Sequence, residues 1–166
     1  MSVRVRRVRP DEALRLRGLR LRALADAPLA FGSTLAREEA FPEEVWHERA
    51  TAGAAGADRV TCVAEDGDRW IGMATGLLEE SLAPDATLVG MFVEADARGR
   101  GIGRALVEAV AEWARAGGAP CLYLWVTSTN DAALVLYARC GFRLTGKTQP
   151  LDHTPAVTEL EMVRAL

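Results

Sequence analysis

The spacing of hydrophobic positions changes several times along the chain, and each change marks a predicted element. Valine alternates with arginine over 3–8, which predicts a half-exposed strand. Two-residue alternation or short apolar runs predict further strands at 59–65, 70–78, 87–93, 121–126, 142–147 and 157–163. The Asp66-Gly67 pair predicts a hairpin turn between the strands at 59–65 and 70–78. The apolar run at 121–126 is typical of a strand covered on both faces.

Four segments have the spacing or the end signals of helices. The first opens at Pro10 and ends before Pro28, and a second covers 42–49. The third begins at Ile102 and ends at Gly117-Gly118, and the fourth covers 130–140 with Gly141 as its cap. The small residues at 52–57 predict a flexible loop. The resulting order is strand, two helices, three strands, helix, strand, helix and two strands, which predicts a mixed α/β sheet with helices on its faces.

Composition and charge narrow the class of protein. A length of 166 residues predicts one domain over 1–166, and a net charge of −3 argues against nucleic acid as a partner. Three separated cysteines and two histidines form no metal-ligand pattern, so no metal is expected. With no apolar run long enough for a membrane and no signal core, we expect a cytoplasmic protein with no membrane partner. Lys147 is the only lysine among 20 basic residues, and alanine is abundant, which suggests a bacterial, high-GC genome.

The candidate chemistry lies where the strand at 87–93 enters the third helix. Three glycines and three arginines alternate there: Arg98, Gly99, Arg100, Gly101, Gly103 and Arg104. Glycine lets the backbone approach a ligand, and the free N–H groups at a helix start attract an anion such as phosphate. A dinucleotide fingerprint would need glycine or alanine where Leu106 stands, and a Walker loop would need a lysine. The segment therefore predicts a phosphate-bearing ligand of another kind.

Two motifs identify the resemblance. Arg98-x-x-Gly101-x-Gly103 after a strand resembles the pyrophosphate-binding motif of the GNAT family of N-acetyltransferases. The segment Asn130-Asp131-Ala132-Ala133, followed by Leu136-Tyr137 and Gly141-Phe142, resembles the second motif of that family at the expected distance. Together the motifs span about 88–142, and the order of elements extends the resemblance over nearly the whole chain.

The resemblance implies a fold, a reaction and a cofactor site. The fold would be a mixed, mostly antiparallel sheet of six or seven strands with about four helices and a splayed central parallel pair. The reaction would be direct transfer of an acetyl group from acetyl-CoA to a primary amine. Backbone atoms of Met91, Phe92 and Val93 would bind the pantetheine arm and the thioester carbonyl. The pyrophosphate would be bound by Arg98, Gly99, Arg100, Gly101, Ile102, Gly103 and Arg104.

The resemblance also places two side chains of the second motif at the cofactor. Asn130 would hydrogen-bond the cofactor arm, and Tyr137 would lie near the coenzyme A sulfur. A phenol with an ordinary pKa near 10 can protonate a departing thiolate, so Tyr137 is the candidate general acid.

The acceptor side is less defined by the sequence. Some relatives carry a glutamate where this chain has Trp125, which cannot take a proton. Glu79 and Glu80, after the strand at 70–78, are therefore the candidate general bases. His153 and the segments 31–34 and 38–39 are further candidates for the acceptor pocket.

The identity of the acceptor stays open between a small molecule and a peptide amine. Relatives often form dimers, so a homodimer is a further expectation of the resemblance. The alternative to an enzyme is a non-catalytic module that binds acyl-CoA as a sensor or regulator. Amine-dependent release of free thiol discriminates between the two.

Overall fold

The computed structural model describes residues 2–166; Met1, which the predicted domain includes, lies outside them. Five helices and seven strands form within this range. The helices are α1 (Ala13–Asp26), α2 (Leu35–Glu39), α3 (Glu43–Ala55), α4 (Ile102–Ala116) and α5 (Asp131–Arg139). The strands are β1 (Arg4–Arg7), β2 (Arg59–Asp66), β3 (Arg69–Leu78), β4 (Ala86–Val93), β5 (Cys121–Thr127), β6 (Arg143–Leu151) and β7 (Thr154–Ala165).

The strands form one sheet in the order β1-β2-β3-β4-β5-β7-β6. Neighbouring strands are antiparallel except for the central pair of β4 and β5. This parallel pair is joined only at Ala86 with Leu122 and at Thr87 with Tyr123, after which the two strands diverge. The predicted fold class, a mixed sheet with a splayed parallel pair, is confirmed.

Each face of the sheet carries its own hydrophobic core. On one face α4 and α5 pack against β2 to β5, with Leu106 and Val110 of α4 fully buried. Glycines of β3 let α4 pack closely against the sheet, because a Cβ added at Gly76 would lie only 2.7 Å from the Trp113 ring of α4. On the other face α1 and α3 bury Leu19 and Trp46 against the same strands.

A bulge in β4 lies where β4 leaves β5. Met73 pairs with Phe92 and Thr75 with Val89, so one residue of β3 lies opposite Gly90 and Met91 together. Gly90 has a φ of +64°, which is the conformation that such an extra residue needs. The bulge bends β4 away from its parallel neighbour and marks the centre of the site described below.

Three segments differ from their sequence-based predictions. The segment at 52–57 is not a loop: α3 continues to Ala55 and ends at Gly56, whose φ is +70°. Alanine is the strongest helix former, and Gly53 lets the helix approach Thr61 of β2 closely. The short helix α2 was not predicted. The strand β5 is fully buried on only one face, because Tyr123 and Trp125 on the other are half-buried.

The last hairpin, β6 and β7, is longer than predicted and forms one edge of the sheet. Most of β6 is exposed, and its pairing with β7 is interrupted between Leu144 and Thr148. Gly146 within the interruption has a φ of +92°. At the opposite edge β1 has only four residues. No helix in residues 2–166 is long and apolar enough to span a membrane.

Candidate active site

The divergence of β4 from β5 leaves one edge of β4 without a strand partner beyond Thr87. Met91, Phe92 and Val93 lie on this stretch, between the bulge and the glycine-arginine turn. Backbone N–H and C=O groups on an unpaired strand edge are available to an extended ligand, which can bind as an added strand does. This is the geometry that the resemblance implied for the pantetheine arm.

The glycine-arginine turn ends in an open helix start. Gly99 and Gly101 each have a φ of +78°, a conformation that other residues adopt at a cost. The first helical hydrogen bond of α4 runs from the Ala105 N–H to the Gly101 carbonyl, at 3.1 Å. The N–H groups of Ile102, Gly103 and Arg104 therefore have no acceptor within the helix. Together with the helix dipole, these groups form a site that attracts a phosphate.

The arginines of the turn differ in what they contact. Arg98 donates from Nε to the Val93 carbonyl and from Nη2 to Asp26, both at 2.9 Å, and so ties the turn to β4 and α1. Arg100 donates to Asp66 at 3.2 Å. Arg104 is exposed, and no carboxylate of residues 2–166 lies within 4 Å of it. Of the three arginines predicted at the pyrophosphate, Arg104 therefore has the side chain most open to a ligand.

Gly103 has a packing role that the sequence did not indicate. A Cβ added at Gly103 would lie 3.0 Å from Cδ2 of Leu136, so this glycine lets α5 pack against the first turn of α4. Around Gly101, by contrast, an added Cβ would meet no atom within 4 Å. The two glycines of the motif are thus required for different reasons, conformation at Gly101 and close packing at Gly103.

The second motif forms the start and the inner face of α5. Asn130 caps this helix, because its Oδ1 accepts from the Ala133 N–H at 3.2 Å, and its amide nitrogen is left to donate to a ligand. Tyr137 is 7% exposed, and its ring packs edge-on against Phe142 with centroids 5.8 Å apart. Burial, followed by the nearby Cys140, raises the pKa of Tyr137 well above its ordinary value. The phenol therefore keeps its proton at neutral pH.

These groups match the parts of an acyl-CoA in their chemistry. The open helix start suits the pyrophosphate, and the unpaired edge of β4 suits the amide-containing pantetheine arm. A neutral phenol suits a sulfur that leaves with negative charge. No group of three or more histidine, cysteine and acidic side chains within the described chain could hold a metal ion.

A cavity of about 360 Å³ lies on the opposite face of the sheet, between α1, α3 and the bulge of β4. The loop at 29–33 covers it and is held down at two points. Thr127 Oγ1 donates to the Leu29 carbonyl at 2.6 Å, and His153 Nε2 donates to the Phe31 carbonyl at 2.8 Å. Of the candidate acceptor segments, residues 31–33 line the cavity, whereas Thr34 and residues 38–39 do not. His153 contacts the loop and is not part of the lining.

The carboxylates of the molecule lie differently from the prediction. Glu79 and Glu80 are exposed at the end of β3, where Leu78 pairs with the first residue of β4, and neither lines the cavity. Because β3 and β4 are antiparallel, the end of β3 lies away from the bulge. Glu159 of β7 does line the cavity, beside Trp125, and accepts a hydrogen bond from Gln149 at 2.8 Å. Glu159 belongs to no motif that is recognisable in the sequence.

Three arginines form the wall of the cavity opposite the sheet centre: Arg20 of α1, Arg49 of α3 and Arg59 of β2. Glu38 is fully buried between two of them. It accepts from Arg20 Nη2 at 2.9 Å and from Arg49 Nη1 at 2.7 Å. Burial alone would raise the pKa of Glu38, but the hydrogen bonds and charges of the two arginines outweigh it and lower the pKa.

The fold and the open strand pair define an acetyltransferase architecture, and comparison with known proteins agrees. A model of the acetyltransferase (GNAT) family matches residues 23–142. The chain therefore belongs to the GNAT family of acetyltransferases, which confirms the class of enzyme that the two motifs predicted.

Curated relatives differ in what they acetylate. The ribosomal protein bS18-alanine N-acetyltransferase of Salmonella typhimurium is 32% identical over 106 residues, 64% of this chain and 68% of that protein. Glucosamine 6-phosphate N-acetyltransferase 1 of Oryza sativa is 33% identical over 138 residues, 79% of this chain and 82% of that protein. A segment of 52 residues is 44% identical to an uncharacterized N-acetyltransferase of Methanocaldococcus jannaschii, of which the chain covers only 23%.

Solved structures agree over the full length of the chain. A GNAT acetyltransferase of Streptococcus pneumoniae has a TM-score of 0.82 and 20% identity, with 99% of this chain and 100% of that chain covered. The protein yncA of Salmonella typhimurium, solved with its cofactor acetyl-CoA, has a TM-score of 0.77 and 17% identity, with 100% and 95% covered. At these identities the likeness concerns the fold.

Proposed function

We propose that the protein transfers an acetyl group from acetyl-CoA to a primary amine bound in the cavity. The observation that carries this proposal is the gap between β4 and β5, which has different chemistry on its two sides. One side has an open helix start and a neutral phenol, which suit a cofactor. The other side has a cavity lined by a carboxylate, which suits an amine.

Bound acetyl-CoA supplies the acetyl group as an activated thioester. The edge of β4 near the bulge, with N–H groups left unpaired by β5, stabilises the negative charge that develops on the thioester oxygen. The Ile102, Gly103 and Arg104 N–H groups hold the pyrophosphate, with Arg104 adding charge. Arg98 and Arg100 keep the turn in place through Asp26 and Asp66.

Glu159 is the proposed base on the acceptor side, in preference to Glu79 and Glu80. An amine enters as an ammonium ion and must lose a proton before its lone pair can attack. Glu159 takes this proton, directly or through a water molecule. The amine nitrogen then forms a bond to the acetyl carbon as the carbon–sulfur bond breaks.

Tyr137 is the proposed proton donor for the departing sulfur. Its raised pKa keeps the hydroxyl protonated, although it also makes the phenol a weaker acid than the thiol that forms. The hydroxyl therefore first stabilises the thiolate by a hydrogen bond. The nitrogen loses its second proton as the amide forms, and this proton restores the phenol when the phenol passes its own proton to the leaving sulfur. The amide of Asn130 would hold the cofactor arm beside this hydroxyl.

The test is amine-dependent release of free thiol from acetyl-CoA, measured with the purified protein over a set of primary amines. The proposal predicts thiol release that saturates with the amine and a product heavier than the amine by one acetyl group. Binding of acetyl-CoA with no release for any amine would overturn the proposal and support the sensor alternative. Slow release that does not respond to the amine would indicate hydrolysis only.

A further inference from the structure

The positive charge of the cavity wall exceeds the negative charge beside it. Arg20, Arg49 and Arg59 bring three guanidinium groups to one wall, and Glu38 supplies one carboxylate between the first two. Both oxygens of Glu38 are used in that pairing, so it has nothing left to offer Arg59. Two positive charges at this wall are therefore not balanced by Glu38.

Arg59 is the least compensated of the three arginines. Its side chain is half-buried, and within residues 2–166 no carboxylate lies within 4 Å of its guanidinium. Burial, and then the charge of Arg49, lower its pKa; the neighbouring Asp58 carboxylate opposes this shift without forming an ion pair, and the guanidinium remains charged at neutral pH. A half-buried charge without a partner costs folding free energy, which a ligand of opposite charge would recover on binding.

Two further polar groups at the cavity have no partner. The Ser33 hydroxyl and the Trp46 indole N–H are buried without a hydrogen-bond partner in the described chain, and both residues line the cavity. Each can donate a hydrogen bond, as the guanidinium of Arg59 can. The unpaired groups at this wall are therefore donors, which is the set that an oxyanion needs.

The size and the charge distribution of the cavity limit the acceptor further. A volume of about 360 Å³, beside a loop held by Thr127 and His153, is in the range of small-molecule sites. Glu159 also lines this cavity but lies more than 4 Å from Arg59, so a carboxylate and an unpaired guanidinium are separated. Such a site matches a molecule with an ammonium group and an anionic group apart from each other.

We infer that the acceptor is a small amine that also carries a carboxylate or phosphoryl group, with Arg59 as the side chain that binds this anionic group. The inference rests on the proposed function and names the substrate class of the same site. A guanidinium binds either oxyanion through two parallel hydrogen bonds, so both kinds of group share one recognition chemistry. Glu159 would face the ammonium group at the other end of the molecule.

The test uses matched amines that differ only in the anionic group. Thiol release is measured with 4-aminobutyrate, 3-aminopropylphosphonate, 4-aminobutanamide and butylamine, and with a short peptide that offers its N-terminal amine. We expect kcat/KM to be at least 10-fold higher for the anionic members of the set, and the first two amines to separate carboxylate from phosphoryl preference. Equal kcat/KM across the set, or activity only with a peptide amine, would overturn the inference while leaving the proposed function intact.

Variants of Arg59 tie the preference to this side chain. Arg59→Gln should raise KM about 10-fold or more for the anionic amine and leave butylamine unchanged. Arg59→Lys should restore part of the loss, since it keeps the charge without the planar fork. Arg4→Gln, at an exposed position on β1, is the control and should match the parent protein. A loss for both kinds of amine in Arg59→Gln would contradict the role of Arg59.

A binding measurement decides the inference even if no amine is acetylated. Melting temperatures are compared with each amine in the presence of coenzyme A, for the parent protein and for Arg59→Gln. If an anionic amine raises the melting temperature of the parent protein but not that of Arg59→Gln, the inference is supported independently of turnover. No stabilisation by any anionic amine, with a folded variant and no turnover, would overturn it.

Discussion

Tyr137 and Glu159 are proposed to handle protons on opposite sides of the gap in the sheet, and their surroundings fit the two tasks. Tyr137 is almost fully buried among apolar side chains and keeps its proton. Glu159 is half-buried on β7, with one hydrogen bond from Gln149, and remains open to a cationic amine. The buried phenol and the half-buried carboxylate therefore differ in their access to solvent, as expected for a group that holds a proton and a group that takes one from an entering amine.

Removal of the Tyr137 hydroxyl tests its proposed role. Tyr137→Phe keeps the ring contact with Phe142 and should lower kcat about 100-fold, because the departing thiolate loses its proton donor. The dissociation constant of acetyl-CoA should change little, as calorimetry would measure. An unchanged kcat would remove Tyr137 from the acid role.

The choice of base can be tested with matched glutamine variants. Glu159→Gln should lower kcat/KM about 100-fold at neutral pH, and the loss should shrink as the pH rises and the free amine becomes abundant. Glu79→Gln and Glu80→Gln serve as comparison variants, because both side chains are exposed outside the cavity. A larger loss in either of these would restore the sequence-based prediction and refute the role of Glu159.

The sequence indicated the cofactor residues better than the acceptor residues, for a physical reason. The cofactor residues lie in two short local segments, where spacing along the chain reflects proximity in space. Arg59 and Glu159 are a hundred positions apart and share a cavity only through the pairing of the sheet. Glu79 lies outside the cavity because β3 runs antiparallel to β4, a direction that the sequence alone does not give.

Among the helices and strands, the start of α4 has both a backbone-conformation requirement and a packing requirement. The turn that precedes it needs two residues with positive φ, while its first turn must leave room for α5. Both glycines are recognisable in the sequence, where the role expected for each is to let the backbone come close to phosphate groups. Packing against Leu136 can be recognised only when the position of α5 is known.

Alanine variants separate the two glycine roles. Gly101→Ala should cost about 1–2 kcal/mol of stability, since an alanine at a φ of +78° is strained, and should weaken acetyl-CoA binding as the turn relaxes. Gly103→Ala should affect binding less, because the Leu136 side chain can move by a few tenths of an ångström. Urea unfolding and calorimetry measure the two effects. Equal loss of binding in both would contradict this division.

Glu38 joins three helices into one unit, because this residue of α2 pairs with Arg20 of α1 and Arg49 of α3. Glu38→Gln should lower the free energy of unfolding by about 3–5 kcal/mol at pH 7, as expected when a buried ion pair loses one partner. Glu39→Gln, at the exposed neighbouring position, is the control and should change stability by less than about 0.5 kcal/mol.

The same variant has a predictable pH dependence. The pKa of Glu38 is lowered on folding, so its contribution to stability is complete above the ordinary value of 4.5 and is lost as the pH falls through the folded pKa. The difference between the parent protein and Glu38→Gln should therefore shrink between pH 7 and about pH 3.5 in urea titrations. A constant difference would show that loss of shape, not charge, destabilises the variant.

At the scale of the whole molecule, the sheet separates two cores and the proposed cofactor and acceptor sites lie on opposite sides of one opening. The motif order and the alternation of apolar residues predicted this architecture. The extent of the last hairpin and the continuation of α3 were missed, because their sequences are polar or small and their partners are distant.

Binding of the cofactor should stabilise this whole architecture. Acetyl-CoA at about 100 times its dissociation constant should add roughly 2.7 kcal/mol to the free energy of unfolding. For a chain of this size the melting temperature should rise by about 5–10 °C. Coenzyme A should give a similar rise, whereas acetate should give none. No rise with either acetyl-CoA or coenzyme A would contradict the cofactor site.

The two edges of the sheet bear on how the protein behaves at high concentration. An open strand edge can recruit another chain and start aggregation, and natural proteins blunt such edges with short strands, bulges, lysine or proline. Here β1 offers only four residues, while β6 carries an interruption at Gly146, the single lysine Lys147, and Pro150. A seven-stranded sheet that ends in this way offers little unbroken strand edge on which a second chain could add a strand.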